Sequence, residues 1–394
     1  MHQNKFFIMG SGVHPKTAEG TYLKGYKAPK TRKLVSLFSG AMGLDIGLEA
    51  AGFELAGCLE FNHEACETIR LNKPELPLVE GDIREWNGQK LLAHFGLHAD
   101  DVLCVCGGPP CPSFSTAGKR QSFNDPRGEV MFDYLRIVED IRPPFFIMEN
   151  VRGILSAALA HEKYGSAELR TGRAEYGTVL RELNRRFSVM GYTVTAELVN
   201  AANYGVPQKR ERVIFLGSRD GFQMSMPSGG FTNGGDAFHA PWRTIRDAFR
   251  GLNEENAEFI PYAPNRARFF AMLNAGQNWK NLPETMQREA LGGAWDSTGG
   301  RVGFYRRLSW DDPSPTVPTS PIQKSTALCH PSRVRPLSVQ EYARIQQFPD
   351  DWKISGRTED KYRQIGNAVP VGLGYAIGKT VLKYATNYYP MEEC

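Results

Sequence analysis

The sequence contains no apolar run that approaches the roughly 20 residues needed to cross a bilayer. Its N-terminus also lacks the apolar stretch of a secretory signal peptide. We therefore expect no membrane-spanning segment and a cytoplasmic protein.

A disulfide framework is equally absent from the pattern of cysteines. Seven cysteines are scattered along 394 residues, an odd number at irregular spacing. A single residue separates Cys104 from Cys106, whereas zinc-binding pairs usually enclose two to four. An apolar run surrounds this pair, so we predict that both thiols lie in a core strand and expect no metal site.

The chain also lacks a strong excess of charge of either sign. Its net charge is +4 and its pI about 8.6, which permits a polyanionic partner without requiring one. Only residues 1–33 are clearly basic, with seven lysines and arginines against the single acid Glu19. This leader is either a solvated segment or an arm that touches phosphates, and the sequence leaves both open.

The order of apolar runs predicts an α/β fold. Between Leu34 and Gly217, short apolar runs alternate with helical patterns, which is typical of a parallel sheet covered by helices. The segment 218–332 lacks this alternation and is rich in Gly, Pro and scattered aromatics, so we predict a smaller irregular or β domain there. Two helical patterns follow it, over Ser338–Gln347 and Gly372–Tyr384.

The expected organisation is therefore a large domain, an inserted smaller one and a returning C-terminal segment. The predicted units are a basic leader at 1–33, a catalytic and cofactor-binding domain at 34–217, the smaller domain at 218–332 and the C-terminal segment at 333–394. A polar insertion at 156–179 interrupts the large domain.

Three features at successive strand ends indicate a nucleoside cofactor. The first strand runs into a turn of small residues, Phe38–Gly43, where a ligand can approach the backbone. Glu60 ends the second strand at a spacing that suits ribose hydroxyls, and Asp82 ends the third, where it could bind an adenine amino group. Either acid could instead cap a helix. The turn lacks the full G-x-G-x-x-G string, and S-adenosylmethionine has no pyrophosphate that needs it, whereas NAD does.

A second group of residues has the chemistry of covalent catalysis. Cys111 stands between Pro110 and Pro112 in the loop after the fourth strand, and it is either a rigidly held nucleophile or a structural free thiol. Glu149 follows the fifth strand, where a carboxyl group can protonate or hydrogen-bond a ring nitrogen. The string Gln208–Arg212 adds a cationic cluster that could also be a surface charge run.

Together these strings resemble the DNA (cytosine-5) methyltransferase family, from Leu34 to about Arg219 and again from Arg333 to Val371. Their order and spacing also match the family. One departure is Met42, which replaces the second glycine of the family's F-x-G-x-G-G pattern. The matching strings are Phe38–Gly43, Gly108–Ser115, Asp125–Gly128, Glu149–Val151, Gln208–Arg212 and Arg363–Pro370.

The resemblance implies a Rossmann-like methyltransferase sheet that binds S-adenosylmethionine. It makes Cys111 the nucleophile and Glu149 the ligand of the cytosine ring nitrogen 3 and amino group, with Arg210 and Arg212 holding the base and the loop. It implies a cofactor site formed by Phe38, Gly40, Gly43, Leu44, Glu60, Phe61, Asp82, Ile83, Pro109, Val130, Asn367 and Val369.

The resemblance further implies that residues 218–332 read the DNA sequence. Arginine is the residue that most often reads guanine edges, although phosphate or structural roles are the commoner alternatives. The candidates are Arg243, Arg301, Arg306 and Arg307. The expected reaction transfers a methyl group to carbon 5 of a flipped cytosine in a short duplex sequence and protects host DNA from a cognate restriction endonuclease. We expect a monomer that forms no stable complex with that nuclease.

Three alternatives remain open at this point. A tRNA cytosine-5 methyltransferase would share the chemistry and differ only in substrate. A DNA-binding regulator without activity would use the same fold, although the intact Cys111, Glu149 and Arg212 argue against it. An NAD-dependent oxidoreductase is a more distant alternative.

Overall fold

A mixed eight-stranded sheet forms the centre of the molecule. The computed structural model describes residues 6–9, 31–110, 127–157, 178–253, 255–296 and 301–388. The strands of the described residues, including four short ones outside the main sheet, are β1 (Phe6–Met9), β2 (Lys33–Leu37), β3 (Glu54–Glu60), β4 (Leu78–Glu80), β5 (Val102–Gly107), β6 (Phe145–Val151), β7 (Thr193–Asn200), β8 (Gln208–Lys209), β9 (Glu211–Ser218), β10 (Phe231–Thr232), β11 (Ala240–Pro241) and β12 (Ser314–Pro315). The order in the main sheet is β1-β7-β9-β6-β5-β2-β3-β4.

The direction of the strands divides this sheet into two parts. β2 to β6 pair in parallel, and the central strands β2, β5 and β6 are buried on both faces as parallel strands usually are. β9 lies antiparallel between β6 and β7, and β1 adds an antiparallel edge beside β7. The predicted α/β class is confirmed, and the predicted parallel pairing holds for β2 to β6 but not for these three strands.

Helices cover both faces of the sheet. They are α1 (Gly43–Ala51), α2 (His63–Asn72), α3 (Gly88–Phe95), α4 (Arg127–Ile141), α5 (Thr178–Met190), α6 (Ile245–Ala248), α7 (Pro264–Ala271), α8 (Glu284–Leu291), α9 (Val339–Ile345), α10 (Thr358–Asn367) and α11 (Val371–Tyr388). α3, α4 and α5 share one hydrophobic cluster with the sheet, while α1 and α11 share the cluster on the opposite face. Within the described residues, no helix combines the length and apolar character of a membrane span.

Glycine allows α1 and α11 to pack closely. A Cβ atom at Gly47 would lie 2.3 Å from the carbonyl oxygen of Val371, and one at Gly43 would lie 2.3 Å from that of Val369. Both distances are shorter than any real contact, so a larger residue would push the helices apart. This packing fixes the start of α1 against the segment that precedes α11.

Residues 219–332, which we call the small lobe, are mostly irregular. The expected irregular or β structure proves to consist of the short helices α6, α7 and α8 with strands of only two residues. Aromatic side chains supply its core, for example Tyr262 and Phe270, whose ring centroids lie 4.4 Å apart. A further cluster joins the small lobe to α9 and α10, so the chain after residue 333 packs first on the small lobe and reaches the sheet with α11.

Several predicted features fall outside the described residues. They include Cys111, most of the polar insertion at 156–179, and residues 10–30 of the basic leader. Part of that leader, Phe6–Met9, forms β1 at the edge of the sheet. Cys104 and Cys106 are fully buried in β5, which confirms their assignment as core residues.

Candidate active site

One large cavity opens at the carboxyl ends of β2, β3, β5 and β6. Its volume is about 910 Å³, within the range of sites that hold small molecules. This edge of an open α/β sheet is where ligands generally bind. Of the predicted site residues, it brings together Phe38, Gly40, Gly43, Leu44, Glu60, Phe61, Pro109, Glu149, Arg210, Arg212, Asn367 and Val369.

The turn between β2 and α1 has an unusual backbone. Phe38, Gly40 and Met42 all adopt a positive φ, at 59°, 53° and 68°. Met42 therefore keeps the left-handed conformation that the family's second glycine would favour, at a cost of about 1–2 kcal/mol. Its side chain is fully buried beneath α1 and is not part of the cavity lining. The departure from the glycine pattern thus preserves the shape of the turn.

Glu60 ties this turn to the end of β3 through neutral donors. One carboxylate oxygen accepts the backbone N–H of Gly40 at 2.8 Å, and the other accepts those of Phe61 and Asn62 at 2.8 and 2.7 Å. Burial raises the pKa of the Glu60 carboxyl above its ordinary value, and the three N–H groups partly offset this. The result is a fixed acceptor that faces the cavity.

Glu149 lies at the end of β6 and has a charged partner instead. Its Oε1 atom is 2.7 Å from Nε of Arg212, which enters from the neighbouring strand β9. Both side chains are almost completely buried. A buried carboxylate needs such a partner because an unpaired charge is strongly destabilising there. Gly108 keeps this region open, since a Cβ atom there would lie 3.1 Å from Oε2 of Glu149.

Arg210 occupies a different environment from Arg212. Its side chain is 1% exposed, and its guanidinium donates to the carbonyl oxygens of Gly366 at 2.9 Å and Val317 at 3.4 Å. Burial and the nearby Arg212 hold the pKa of this guanidinium below its ordinary value. The prediction grouped Arg210 with Arg212 as holders of the base and the loop. Arg210 lines the cavity, and its contacts fasten the backbone at Gly366 and Val317.

The loop that leads to Cys111 is held by a residue to which the sequence prediction gave no role. The side-chain amide of Asn150 donates to the carbonyl oxygen of Pro109 at 3.1 Å, and its oxygen accepts the N–H of Val151. Pro109 and Pro110 line the cavity and end the described segment, with Cys111 next in the chain. Asn150 was discoverable from the sequence, because it is the middle residue of the Glu-Asn-Val string.

Three predicted cofactor residues lie outside the cavity lining found among the described residues. Asp82 accepts the backbone N–H of Arg84 at 3.0 Å and pairs with the Arg84 guanidinium, which lowers the pKa of its carboxyl. Ile83 is buried in the hydrophobic cluster beside β4, and Val130 packs against the same cluster. Asp82 thus caps a short helix, which was the alternative reading of this acid.

The four candidate DNA-reading arginines divide by burial. Arg307 is buried and donates to the carbonyl oxygens of Pro331, Phe270 and Leu273. We therefore correct its assignment to a structural role, because contact with a base would break three hydrogen bonds. Arg301 also donates to backbone carbonyls within the small lobe. Arg306 is half-buried, and Arg243 is exposed beside the ring of Phe231.

Asp45 is a buried residue in the lining of the cavity, and the sequence prediction did not single it out. It is 1% exposed, and the thiol of Cys106 lies 3.8 Å from its Oδ1 atom. Burial raises the pKa of its carboxyl to about 6, and a hydrogen bond with Ser36 only partly offsets this. The Ser36 hydroxyl in turn lies 2.8 Å from that of Ser39, which lines the cavity.

Comparisons with known proteins agree with this geometry. The family model described as C-5 cytosine-specific DNA methylase matches residues 32–383. Type II methyltransferase M.Eco47II of Escherichia coli is 36% identical over 359 residues, covering 89% of this chain and 78% of that protein. Type II methyltransferase M.Sau96I of Staphylococcus aureus is 36% identical over 367 residues, covering 91% and 77%.

Solved structures support the same fold. The S. pombe Dnmt2 methyltransferase superposes with a TM-score of 0.53 at 18% identity, covering 89% of this chain and 98% of that one. The Entamoeba histolytica methyltransferase EhMeth gives a TM-score of 0.58 at 14% identity, covering 91% and 99%. The family resemblance of the sequence is confirmed: this chain belongs to the C-5 cytosine-specific DNA methylases, which use S-adenosylmethionine to methylate carbon 5 of cytosine in DNA.

Proposed function

We propose that this chain methylates one cytosine within a specific short duplex DNA sequence, through a covalent adduct with Cys111. A single observation carries the proposal: one continuous cavity contains both the Gly40–Glu60 acceptor site and the Glu149–Arg212 ion pair. The first suits a nucleoside cofactor and the second a polar base, so both reactants fit one site.

The residues of the cavity fit S-adenosylmethionine. Glu60 is oriented as an acceptor for ribose hydroxyls, and a Cβ atom at Gly40 would meet nothing within 4 Å, so the backbone there is open to a ligand. Phe61 offers an exposed ring next to Glu60 at the cavity. Asn367 and Val369 line the cavity on the other side of the turn. The bound cofactor supplies an electrophilic methyl group, and these residues bind and orient it.

Glu149 and Arg212 form the proposed site for the cytosine. The Glu149 carboxyl can hydrogen-bond ring nitrogen 3 and the exocyclic amino group, and it offsets charge as it develops on the ring. Arg212 holds that carboxyl in place through the 2.7 Å contact. Reaching this buried pair requires the base to leave the duplex stack, which costs a few kcal/mol.

Cys111 is the proposed nucleophile, on the strength of the family resemblance and of its position next to Pro110. Its thiolate sulfur forms a bond to carbon 6 of the cytosine, which breaks the aromaticity and raises the electron density at carbon 5. Carbon 5 would then take the methyl group as the methyl–sulfur bond of the bound cofactor breaks, with the sulfonium sulfur leaving as a neutral thioether. Loss of the proton at carbon 5 and departure of the Cys111 sulfur from carbon 6 restore the ring and the free enzyme.

The biological role is proposed from the relatives. Because two of them are named type II methyltransferases, we propose that this chain modifies host DNA and so protects it from a cognate restriction endonuclease. It would act as a monomer, without a stable complex with that nuclease, in the cytoplasm where host DNA is found. The small lobe would read the sequence, with the exposed Arg243 and the half-buried Arg306 as candidate contacts.

A labelled-methyl assay with duplex DNA and with tRNA tests the proposed substrate. We expect incorporation into duplex DNA alone, at one short sequence that bisulfite sequencing of DNA from expressing cells would reveal. Methylation of tRNA alone would refute the proposal in favour of the tRNA alternative. Binding of duplex DNA without any methyl transfer would instead indicate the inactive regulator.

A further inference from the structure

A fully buried glutamine, Gln346, lies at the junction of the cavity and the small lobe. It follows α9 directly and has no exposed surface. Glutamine seldom occurs so deep in a protein unless its amide groups have specific partners. Its surroundings therefore indicate what it holds in place.

The side-chain amide of Gln346 satisfies the end of α10. Its Nε2 atom donates to the carbonyl oxygens of Ile365 at 2.6 Å and Ala368 at 2.9 Å. Its own backbone carbonyl accepts the N–H of Val371 at 3.0 Å. Residues Gly366–Val369 between these points line the cavity, and we call them the cofactor wall. Gln346 thus brackets the cofactor wall from both ends.

The same side chain also extends toward the small lobe. Its Oε1 atom accepts Nε2 of Gln208 at 2.7 Å, and Oε1 of Gln208 accepts the backbone N–H of Val317 at 3.0 Å. Arg210 makes a parallel link, since its guanidinium donates both to Val317 and to Gly366 of the cofactor wall. Val317 belongs to the small lobe and packs in the cluster that joins this lobe to α9 and α10. A continuous set of hydrogen bonds therefore connects the cofactor wall to the small lobe.

We propose that Gln346 is a positioning residue that fixes the cofactor wall and ties it to the small lobe, so that cofactor binding and DNA binding strengthen each other through it. The proposal rests on the proposed cofactor site and on the DNA-reading role of the small lobe. Ordering of the cofactor wall by a ligand would be transmitted to Val317 through the hydrogen bonds of the fully buried side chains of Gln346 and Gln208. By thermodynamic linkage, DNA bound to the small lobe would favour the cofactor by the same factor.

The chemistry of the residue supports a specific role over simple filling of the core. A methionine has a similar volume and would pack equally well, but it would leave two carbonyl oxygens and the Gln208 amide without their partner. The two donors and one acceptor of a neutral amide match these three partners. A charged residue would be unfavourable at a site with no exposure.

The test compares Gln346→Met with Gln340→Met on the same helix. Gln340 accepts the N–H of Glu258 and, within the described part of the chain, makes no hydrogen bond to the cofactor wall, so it reports what loss of an amide does on α9. Calorimetry gives the Kd of S-adenosylhomocysteine, and fluorescence anisotropy gives the DNA Kd with and without it. The coupling is measured by the ratio of the DNA Kd without S-adenosylhomocysteine to the DNA Kd with it. We expect this ratio to be about tenfold both in wild type and in Gln340→Met. We expect Gln346→Met to raise the Kd of S-adenosylhomocysteine about tenfold and to bring the ratio close to one.

The outcomes are distinct. Equal ratios in Gln346→Met and Gln340→Met, or a ratio of one in wild type, would overturn the proposal. If Gln346→Met does not fold, Gln208→Met decides, because it keeps the bonds of Gln346 to Ile365 and Ala368 and cuts the route from Gln346 through Gln208 to Val317. We then expect a nearly unchanged Kd for S-adenosylhomocysteine with a reduced ratio, and an unchanged ratio would refute the idea. Glu60→Gln separates failure of the coupling proposal from an error in the proposed cofactor site. It should weaken the binding of S-adenosylhomocysteine whether or not Gln346 couples the two sites.

Discussion

Two buried glutamates near the carboxyl ends of β3 and β6 have partners of different kinds. Glu60 and Glu149 each retain 8% of their exposure and line the same cavity. Glu60 is surrounded by three backbone N–H groups, whereas Glu149 is paired with the guanidinium of Arg212. Two side chains of the same type therefore have different surroundings: Glu60 has neutral hydrogen-bond donors, and Glu149 has a charged partner.

The difference matches what each end of the cavity has to do. Neutral donors fix the Glu60 oxygens in space and leave lone pairs for hydroxyl groups, which suits binding without chemistry. A guanidinium beside Glu149 stabilises its charge and orients it, which suits a group that must respond as charge moves on a ring. We therefore propose that the Glu60 end binds the cofactor and that the Glu149 end takes part in catalysis, and the following variants test that division.

The largest effect is expected from Cys111→Ser. A hydroxyl is a far weaker nucleophile than a thiolate, so turnover should fall by about 10⁴-fold or more. The Kd of S-adenosylmethionine should remain that of wild type, because the Glu60 end is untouched. Single-turnover methyl transfer and calorimetry measure the two quantities, and substantial remaining activity would refute the nucleophile assignment.

Glu149→Gln should reduce kcat by about 10²- to 10⁴-fold, since it removes the ionisable group that stabilises the ring nitrogen. The Kd of the cofactor should not change. Glu197→Gln is a matched control, because Glu197 is also buried and pairs with Ile214 in register, as Glu149 does, yet it lies on β7 and does not line the cavity. Equal kcat values for the two variants would contradict a catalytic role for Glu149.

Glu60→Gln should have the opposite signature. Its new NH₂ group would face backbone N–H donors, so the turn at Gly40 would lose its anchor and the cofactor Kd should rise by about 10²-fold. At saturating cofactor, kcat should stay within a few-fold of wild type. Glu80→Gln serves as the control, since Glu80 pairs with Glu60 in register but is exposed. A fall in kcat with an unchanged Kd would reverse the proposed division.

The smallest effect concerns Asp45, a third carboxylate that has neither the three N–H donors of Glu60 nor a guanidinium. Its folded pKa of about 6 exceeds its ordinary value of 3.8, so its contribution to stability is complete below about pH 4 and is lost as the pH rises through 6. The free energy of unfolding of Asp45→Asn, relative to that of wild type, should therefore rise by about 2 kcal/mol between pH 4 and pH 8. Urea unfolding at several pH values measures this gain, with the exposed Glu54→Gln as control. If the difference in unfolding free energy between Asp45→Asn and wild type does not vary with pH, the raised pKa assigned to the buried Asp45 carboxyl is contradicted.

The division of the cavity was partly predictable from the sequence. The alternation of strands and helices predicted β2 to β6, and the ends of β3 and β6 therefore predicted that Glu60 and Glu149 would face one edge. Neither the partner of Glu149 nor the burial of Arg210 could be predicted, because both depend on β9 running antiparallel between β6 and β7. The Glu-Asn-Val string draws attention to Asn150, but it does not reveal the contact of Asn150 with Pro109. The contact of Gln346 with Ile365 likewise joins residues that are distant in the chain, and no local pattern records it.

The small lobe illustrates the same limit more strongly. Its lack of periodicity predicted irregular structure, but not the helices α6, α7 and α8, because each packs into a cluster of residues from separate segments and does not follow a repeating pattern. Arg307 was chosen as a DNA-reading candidate by residue type alone. Its three carbonyl partners come from two separate segments, which only the folded chain reveals.

The central claim is that a cytosine reaches Glu149 while the sulfur of Cys111 bonds to its carbon 6. The most direct test incubates the protein with S-adenosylmethionine and a duplex that carries 5-fluorocytosine at the methylated position, because fluorine at carbon 5 prevents the final elimination. Peptide mapping by mass spectrometry then locates the adduct. The account predicts one stable adduct, at Cys111, in wild type and none in Cys111→Ser. An adduct at another cysteine, or methyl transfer to the unmodified duplex without any adduct on the fluorinated one, would contradict it.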